Sequence, residues 1–226
     1  MRHPYWPLFD LRVRTERLEL RPVGEDDAIA LASLAARGIH DPDWLPFAVP
    51  WSIQPSPQLE RGAVQHYWRA WANWTADNWH LPLAVICDGE VVGTQGFGGR
   101  KFPVLRTVNS GSWLGRDHQG KGIGKEMRAA MLHLAFAGLG ARYAVSGAWH
   151  DNAPSLGVSR ALGYEENGVD IAERLGNPDR QIGLLLTRER WEAHRAIEVH
   201  IENLAPCLEF FGLASDLLPL EPTSSV

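Results

Sequence analysis

Cysteine is nearly absent: Cys87 and Cys207 are the only two in 226 residues. Two thiols are too few for a disulfide framework or a zinc site of their own, and the apolar residues around both suit reduced thiols. Lysine is scarce too, with Lys101, Lys121 and Lys125 alone. No apolar run approaches the roughly 18 residues of a membrane span; the longest cover residues 81–87 and 134–141. The amino terminus mixes Arg and Pro where a signal peptide would be apolar, so the chain is expected to be neither exported by that route nor embedded. The cytoplasm is then the expected compartment, where the sequon Asn73-Trp74-Thr75 carries no weight. An excess of positive charge is also missing: 22 Lys and Arg face 27 Asp and Glu, a net −5, which excludes a protein that coats nucleic acid. What remains, 45% hydrophobic and 22% charged, is the composition of a globular chain. At this length it reads as one large domain, able to bury roughly 70% of its unfolded surface.

The charge is unevenly spread. Arg100, Lys101, Arg106, Arg116, Lys121, Lys125 and Arg128 face only Asp117 and Glu126 between positions 100 and 128, a local +5 on a chain that sums to −10 elsewhere. That concentration suits a compact polyanion such as a phosphorylated cofactor better than a nucleic-acid stripe.

Periodicity orders the rest. Leu18 to Val23 alternates as a strand, ahead of a helix from about Glu25 to Arg37 with three acids in its first turn and Gly38 to stop it. Five prolines between His40 and Pro57, interleaved with Trp44, Phe47 and Trp51, make a long aromatic loop. A helix over residues 59–76 follows, with Val64, Tyr67, Trp68, Trp71 and Trp74 as a core stripe. Leu83 to Cys87 and Glu90 to Phe97 flank Asp88-Gly89, the signature of a tight hairpin. Thr107 to Gly115 is a strand, Gln119 to Gly124 a glycine-rich turn, and a helix runs on to about Phe136. Arg142 to Ala148, Tyr164 onward and Gln181 to Thr187 are strands around a short helix from Pro154 to Leu162. Arg188 to His200 is predicted helical and the tail after Pro219 disordered. The order describes one mixed α/β layer.

Gln119-Gly120-Lys121-Gly122-Ile123-Gly124 lies between a strand and a helix, where free amides at the helix start can hold phosphate oxygens. Glycine lets the anion approach the backbone and allows positive φ. A nucleotide P-loop fits Gly115 to Lys121, but its next position, Gly122, has no hydroxyl for magnesium. A dinucleotide site wants an acid about 20 residues on, and positions 140–150 hold none.

An acyl-CoA site is the third reading, and here a family resemblance enters. Gln119, Gly122 and Gly124 in a Q-x-x-G-x-G pattern, followed by Asn152-Ala153-Pro154-Ser155 and Leu162-Gly163-Tyr164, resemble the GNAT N-acetyltransferase superfamily. Thr15-Glu16-Arg17-Leu18-Glu19-Leu20-Arg21-Pro22 is similar to its RimJ/RimL-like branch. The resemblance covers residues 15–187 and implies a single α/β domain with a mixed, mainly antiparallel central sheet flanked by helices. Residues 1–14 are then an amino-terminal arm, and residues 188–226 a helical extension and tail. It implies acetyl-CoA as acyl donor, held by Gln119, Gly120, Lys121, Gly122, Ile123, Gly124 and Lys125 at the pyrophosphate and by the backbone of Trp113 and Leu114 along the pantetheine. Asn152 would contact the cofactor, Ser155 would protonate the departing thiolate, and Arg160 reaches the nucleotide phosphate or is simply solvated.

The implied reaction is direct attack of a neutral amine on the thioester. Neutralising a lysine side chain (pKa about 10.4) at pH 7 costs roughly 4 to 5 kcal/mol, against about 1 for an α-amine near 7.7 to 8.0. Many relatives place a carboxylate on the strand before the glycine loop as base, yet residues 91–116 contain no Asp or Glu. Glu173 and His150 are the replacements the sequence offers. The expected partner is a peptide or small-molecule amine, with Trp44 to Trp51, Trp68 and Trp71 shaping its pocket; no nucleic acid, membrane or metal is expected, and a homodimer is one option. A module that binds CoA but has lost catalysis is the alternative.

Overall fold

The computed structural model describes residues 3–213. A nine-stranded sheet runs in the order β7-β8-β6-β5-β4-β3-β2-β1-β9. Its strands are β1 (Arg12–Arg14), β2 (Leu18–Pro22), β3 (Asn78–Cys87), β4 (Glu90–Arg100), β5 (Thr107–Leu114), β6 (Tyr143–Trp149), β7 (Glu165–Arg174), β8 (Asn177–Thr187) and β9 (His200–Glu202). All neighbours are antiparallel except β5 and β6. Helices α1 (Glu25–Ala36), α2 (Gln58–Ala72), α3 (Phe102–Leu105), α4 (Ile123–His133), α5 (Ala153–Ala161) and α6 (Arg188–His194) complete the fold. This is the mixed, mainly antiparallel α/β arrangement expected. No helix among the described residues is long and apolar enough to cross a membrane.

Strand alternation makes two cores. Leu81, Leu83 and Val85 of β3 join Met127, Met131 and Phe136 on one face, while Ala84 and Ile86 face Ala28, Leu31 and Tyr67 from α1 and α2 on the other. The β3–β4 hairpin closes through Asp88 and Gly89, both at positive φ (+51° and +81°), as the primed turn requires.

Four local expectations shift. Helix α2 stops at Ala72 because a turn takes over: the Asn78 amide donates to the Thr75 hydroxyl, and the Thr75 amide to the Asn78 carbonyl. Its stripe is also turned: Leu59, Ala63 and Tyr67 are buried, whereas Trp68 is 52% exposed and donates to Glu25. The segment predicted helical to His200 leaves the helix at His194, because β9 finds the open edge of β1 and long-range pairing outweighs local propensity. After it, the 3-10 helix Ala205–Phe211 buries Cys207, Leu208 and Phe211 in the main core. Leu8, Leu11 and Val13, in the segment expected as an arm, are equally buried. Trp74 stacks between Trp71 and Trp79 and donates to the Phe210 carbonyl, so these tryptophans join the two chain ends to the sheet. The tail after Pro219 lies outside the described residues.

Candidate active site

Leaving β5, the chain makes a 3-10 turn at Arg116–His118, passes the glycine loop and enters α4. Gly120 and Gly122 have φ of +73° and +82°, where a side chain would be strained. That geometry leaves the amides of residues 120–124 without a protein acceptor among the described residues, in a stretch whose first three members are exposed. Free donation stops at Lys125 and Glu126, whose amides close onto the Gly122 carbonyl. Lys121 and Lys125 stand exposed beside this row. It is a cradle of main-chain donors at a helix start, a geometry that suits an anion.

Gln119 departs from its expected part. Its amide donates to the Arg116 carbonyl, and its side chain donates to the carbonyls of Ile39 (2.8 Å) and Leu114 (2.9 Å). It braces the loop and leaves the cradle to begin at Gly120. A second brace comes from the Thr15 to Pro22 motif: Thr15 Oγ1 donates to Glu126 (2.6 Å), and Arg17 pairs with Glu126 and reaches the Lys121 carbonyl (3.4 Å).

The local +5 is not one patch. Arg100, Lys101 and Arg106 precede β5, whereas Arg116, Lys121 and Lys125 follow it, roughly 23 Å away along an eight-residue strand. Arg128 is 4% exposed and donates to Gln95 Oε1 (3.2 Å), Ser112 Oγ (3.1 Å) and Ser146 Oγ (3.5 Å), so it serves the interior.

Beside the cradle the sheet opens. Parallel β5 and β6 pair only from Thr107↔Tyr143 to Asn109↔Val145, yet run on to Leu114 and Trp149. Past Asn109 they diverge and leave a V with a free edge of β5. Main-chain groups alternate along a strand: the Gly115 amide donates to Val92 on the β4 side, so Trp113 spends its main chain there and Leu114 faces the opening. Of the two residues expected along a pantetheine arm, only Leu114 faces the V, and it offers its amide alone, since its carbonyl accepts from Gln119. The Trp113 side chain packs against Trp51, 5.9 Å between ring centroids.

On the other wall, Asn152 Oδ1 caps α5 by accepting from the Ser155 amide at 3.1 Å. The Ser155 hydroxyl has no protein partner among the described residues. Arg160 pairs outward with Glu166 at 2.9 Å.

Neither expected base is free. The Glu173 carboxylate accepts from the Gly176 amide (2.7 Å) at the tip of the β7–β8 hairpin, and His150 Nδ1 lies 3.2 Å from Asp179. Between them stands Arg174, which the sequence reading passed over. It donates to Asp151 (2.9 Å), Asp179 (3.0 Å) and the Leu45 carbonyl (2.7 Å), and lies over the Trp44 and Trp149 rings. Burial opposes charge on Asp151, but hydrogen bonds from Trp44 and Arg174 hold its carboxyl below the ordinary range. The hydrogen bond from Arg174 also lowers Asp179. This clamp ties the aromatic loop to the hairpin. Only a run of charged residues marked it in the sequence, and nothing local tells which of them will meet.

Residues 17–165 match the model of the acetyltransferase (GNAT) domain. The chain belongs to the GNAT acetyltransferase family. As a GNAT protein it is 35% identical over 91 residues to an L-methionine sulfoximine/L-methionine sulfone acetyltransferase of Pseudomonas aeruginosa, a match over 38% of this chain and 52% of that one. The chain thus spans about half the length of the curated relatives it matches. Among solved structures, Mycobacterium smegmatis RimJ in complex with a CoA disulfide superposes with a TM-score of 0.63 at 23% identity, covering 83% of this chain and 94% of that one. RimL, a ribosomal L7/L12 α-N-protein acetyltransferase, in complex with coenzyme A gives 0.63 at 20% identity, covering 76% and 95%. At these identities the structures establish the shared GNAT fold.

Proposed function

We propose that this GNAT protein is an acyl-CoA-dependent N-acyltransferase that moves an acetyl group from acetyl-CoA to a primary amine by direct attack in a ternary complex, in the cytoplasm. One observation carries the reading: five consecutive free amides, flanked by Lys121 and Lys125, open beside a V in the sheet. Donors in that number suit a diphosphate, and the β5 edge at Leu114, whose amide faces the V, suits the carbonyl of an amide-bearing arm. The donor's thioester supplies the activated acyl carbon. For their part, the cradle amides hold and aim it, Asn152 fixes the start of α5, and the unpartnered Ser155 hydroxyl returns a proton to sulfur. Arg160, paired with Glu166, is left to the surface. The names of the relatives span both acceptor classes, a protein α-amine and a small amino compound.

Incubation of the purified chain with acetyl-CoA and a panel of amino acids, peptides and aminoglycosides is expected to release free thiol in proportion to N-acetylated product. Absence of both thiol release and CoA binding overturns the proposal. CoA binding without transfer to any amine supports a sensor instead.

A further inference from the structure

At the opposite end of β5 from the cradle lies an open cavity of about 730 Å³, between the second half of α2 and the sheet. His66, Arg69, His80, Arg100, Asn109 and Val145 are among its lining residues. Four residues form one transverse row across the sheet: His80 pairs with Gly98, Gly98 with Asn109, and Asn109 with Val145. That last pair is where the β5–β6 ladder ends and the V begins. The cavity therefore meets the V at its vertex.

The His80 ring lies across β4 because two glycines make room. A Cβ on Gly96 would sit 2.9 Å from the ring, and one on Gly98 would sit 3.0 Å from Asn109 Oδ1 and 3.4 Å from His80 Nδ1. Gly111, the β5 partner of Gly96, has nothing within 4 Å of where its Cβ would be. The imidazole thus rests in a trough directed at β5, and neither of its nitrogens has a hydrogen-bond partner among the described residues.

Charge around the ring is one-sided. From α2 it is faced by His66, 5.8 Å away between ring centroids, and by Arg69; Arg100 arrives from β4. Neither guanidinium has an ion-pair partner among the described residues, and no Asp or Glu lines the cavity. Burial, with a smaller push from His66, lowers His80 to about 4, and burial and Arg69 lower His66, so both rings are neutral near pH 7. Neutral nitrogens and two unpaired cations reject a bare ammonium and welcome a molecule that brings its own negative charge.

We infer that this cavity is the acceptor site, that it takes small amines bearing a carboxylate, of the α-amino acid class, with the carboxylate on Arg69 and Arg100, and that the His80 imidazole receives the amine proton. The inference rests on the acetyl-transfer reading above. As the nitrogen lone pair bonds to the thioester carbonyl carbon, the C–S pair leaves on sulfur. The N–H proton goes to His80 and on toward His66 and water at the rim, while the sulfur takes the Ser155 proton and water restores it to the serine oxygen, giving an amide and a free thiol. The lowered pKa does not forbid this step, because the nitrogen becomes acidic only as the C–N bond forms and a bound carboxylate offsets the nearby cations.

The test compares each of the twenty L-amino acids with its own amide in the thiol-release assay. At least one free acid is expected to exceed its amide by tenfold or more in kcat/KM, and Arg69→Ala/Arg100→Ala should bring that ratio within twofold. His80→Gln should lower kcat about a hundredfold with CoA affinity within threefold of wild type; His80→Asn substitutes if the Gln variant is unfolded by its melting profile. A readout without turnover is the histidine-ring NMR titration, in which N-acetyl-L-amino acids should raise the His80 midpoint by a unit or more. Amides turned over as well as acids, His80 variants with wild-type kcat, or an unmoved His80 midpoint each overturn the inference while leaving acetyl transfer standing. A chain that neither binds CoA nor releases thiol overturns the parent reading.

Discussion

The two ends of β5 offer hydrogen-bonding groups in different currencies. After Leu114, the donors are main-chain amides supplied by five consecutive residues, fixed by two left-handed glycines and braced from outside by Gln119 and Arg17. Before Thr107, the cavity is assembled from side chains on α2, β3, β4, β5 and β6, and no two of its polar groups on different elements are neighbours in sequence. Main-chain donors cannot lose their polarity by titration or by most substitutions, so the first end suits a ligand that never changes. Side chains can be exchanged singly, so the second suits one that varies. On the proposed assignment, the donor end of this chain is built locally and the acceptor end from distant contacts.

Acid should break this comparison most strongly, because main-chain amides do not titrate and the imidazoles of the cavity do. His80 has a folded pKa near 4, below the unfolded value of about 6.5. As pH falls through that window the unfolded chain takes up a proton that the folded one refuses, so stability drops, by about 3 kcal/mol at the full shift. Urea denaturation between pH 7 and 4 is expected to show a His80-dependent slope that His80→Gln removes. At the other end, Gly122→Val should weaken CoA binding about thirtyfold, roughly 2 kcal/mol, through strain at positive φ and loss of anion approach. Calorimetric titration with CoA measures it, and unchanged affinity would mean that the cradle is not the donor site. Arg174→Ala touches neither end; removal of a largely covered guanidinium between Asp151 and Asp179 should cost about 2 kcal/mol and speed hydrogen exchange in residues 41–50, with CoA affinity intact. The smallest effect is expected for Arg160→Ala: its exposed pair with Glu166 carries almost no stability, and CoA affinity should stay within twofold.

How far the sequence foretold this molecule follows the same division. The Asp88-Gly89 hairpin, the helix from Glu25 and the turn before α4 were legible because residues adjacent in the chain settle them. Gln119 was legible as a motif position but not as a brace, because its partner Ile39 is 80 positions away. On the acceptor side Glu173 and His150 are already engaged by the Gly176 amide and Asp179, and the contacts of Arg174 and the position of His80 depend on strands that meet only in the sheet. Charge counting misled where it ignored direction, for Arg128 belongs to the run near the loop by number yet points into the interior.

The last strand and the turn after it bear on how such a chain is made. β9 zips onto the first strand of the sheet, and Phe211 fills a gap among Trp74 and Trp79 near its middle. A chain cut before residue 200 has a bare β1 edge and an open aromatic hollow where Phe211 would sit. Fusions or truncations that hold back this closing segment are expected to fail in the cell as aggregation, well before any loss of catalysis is seen.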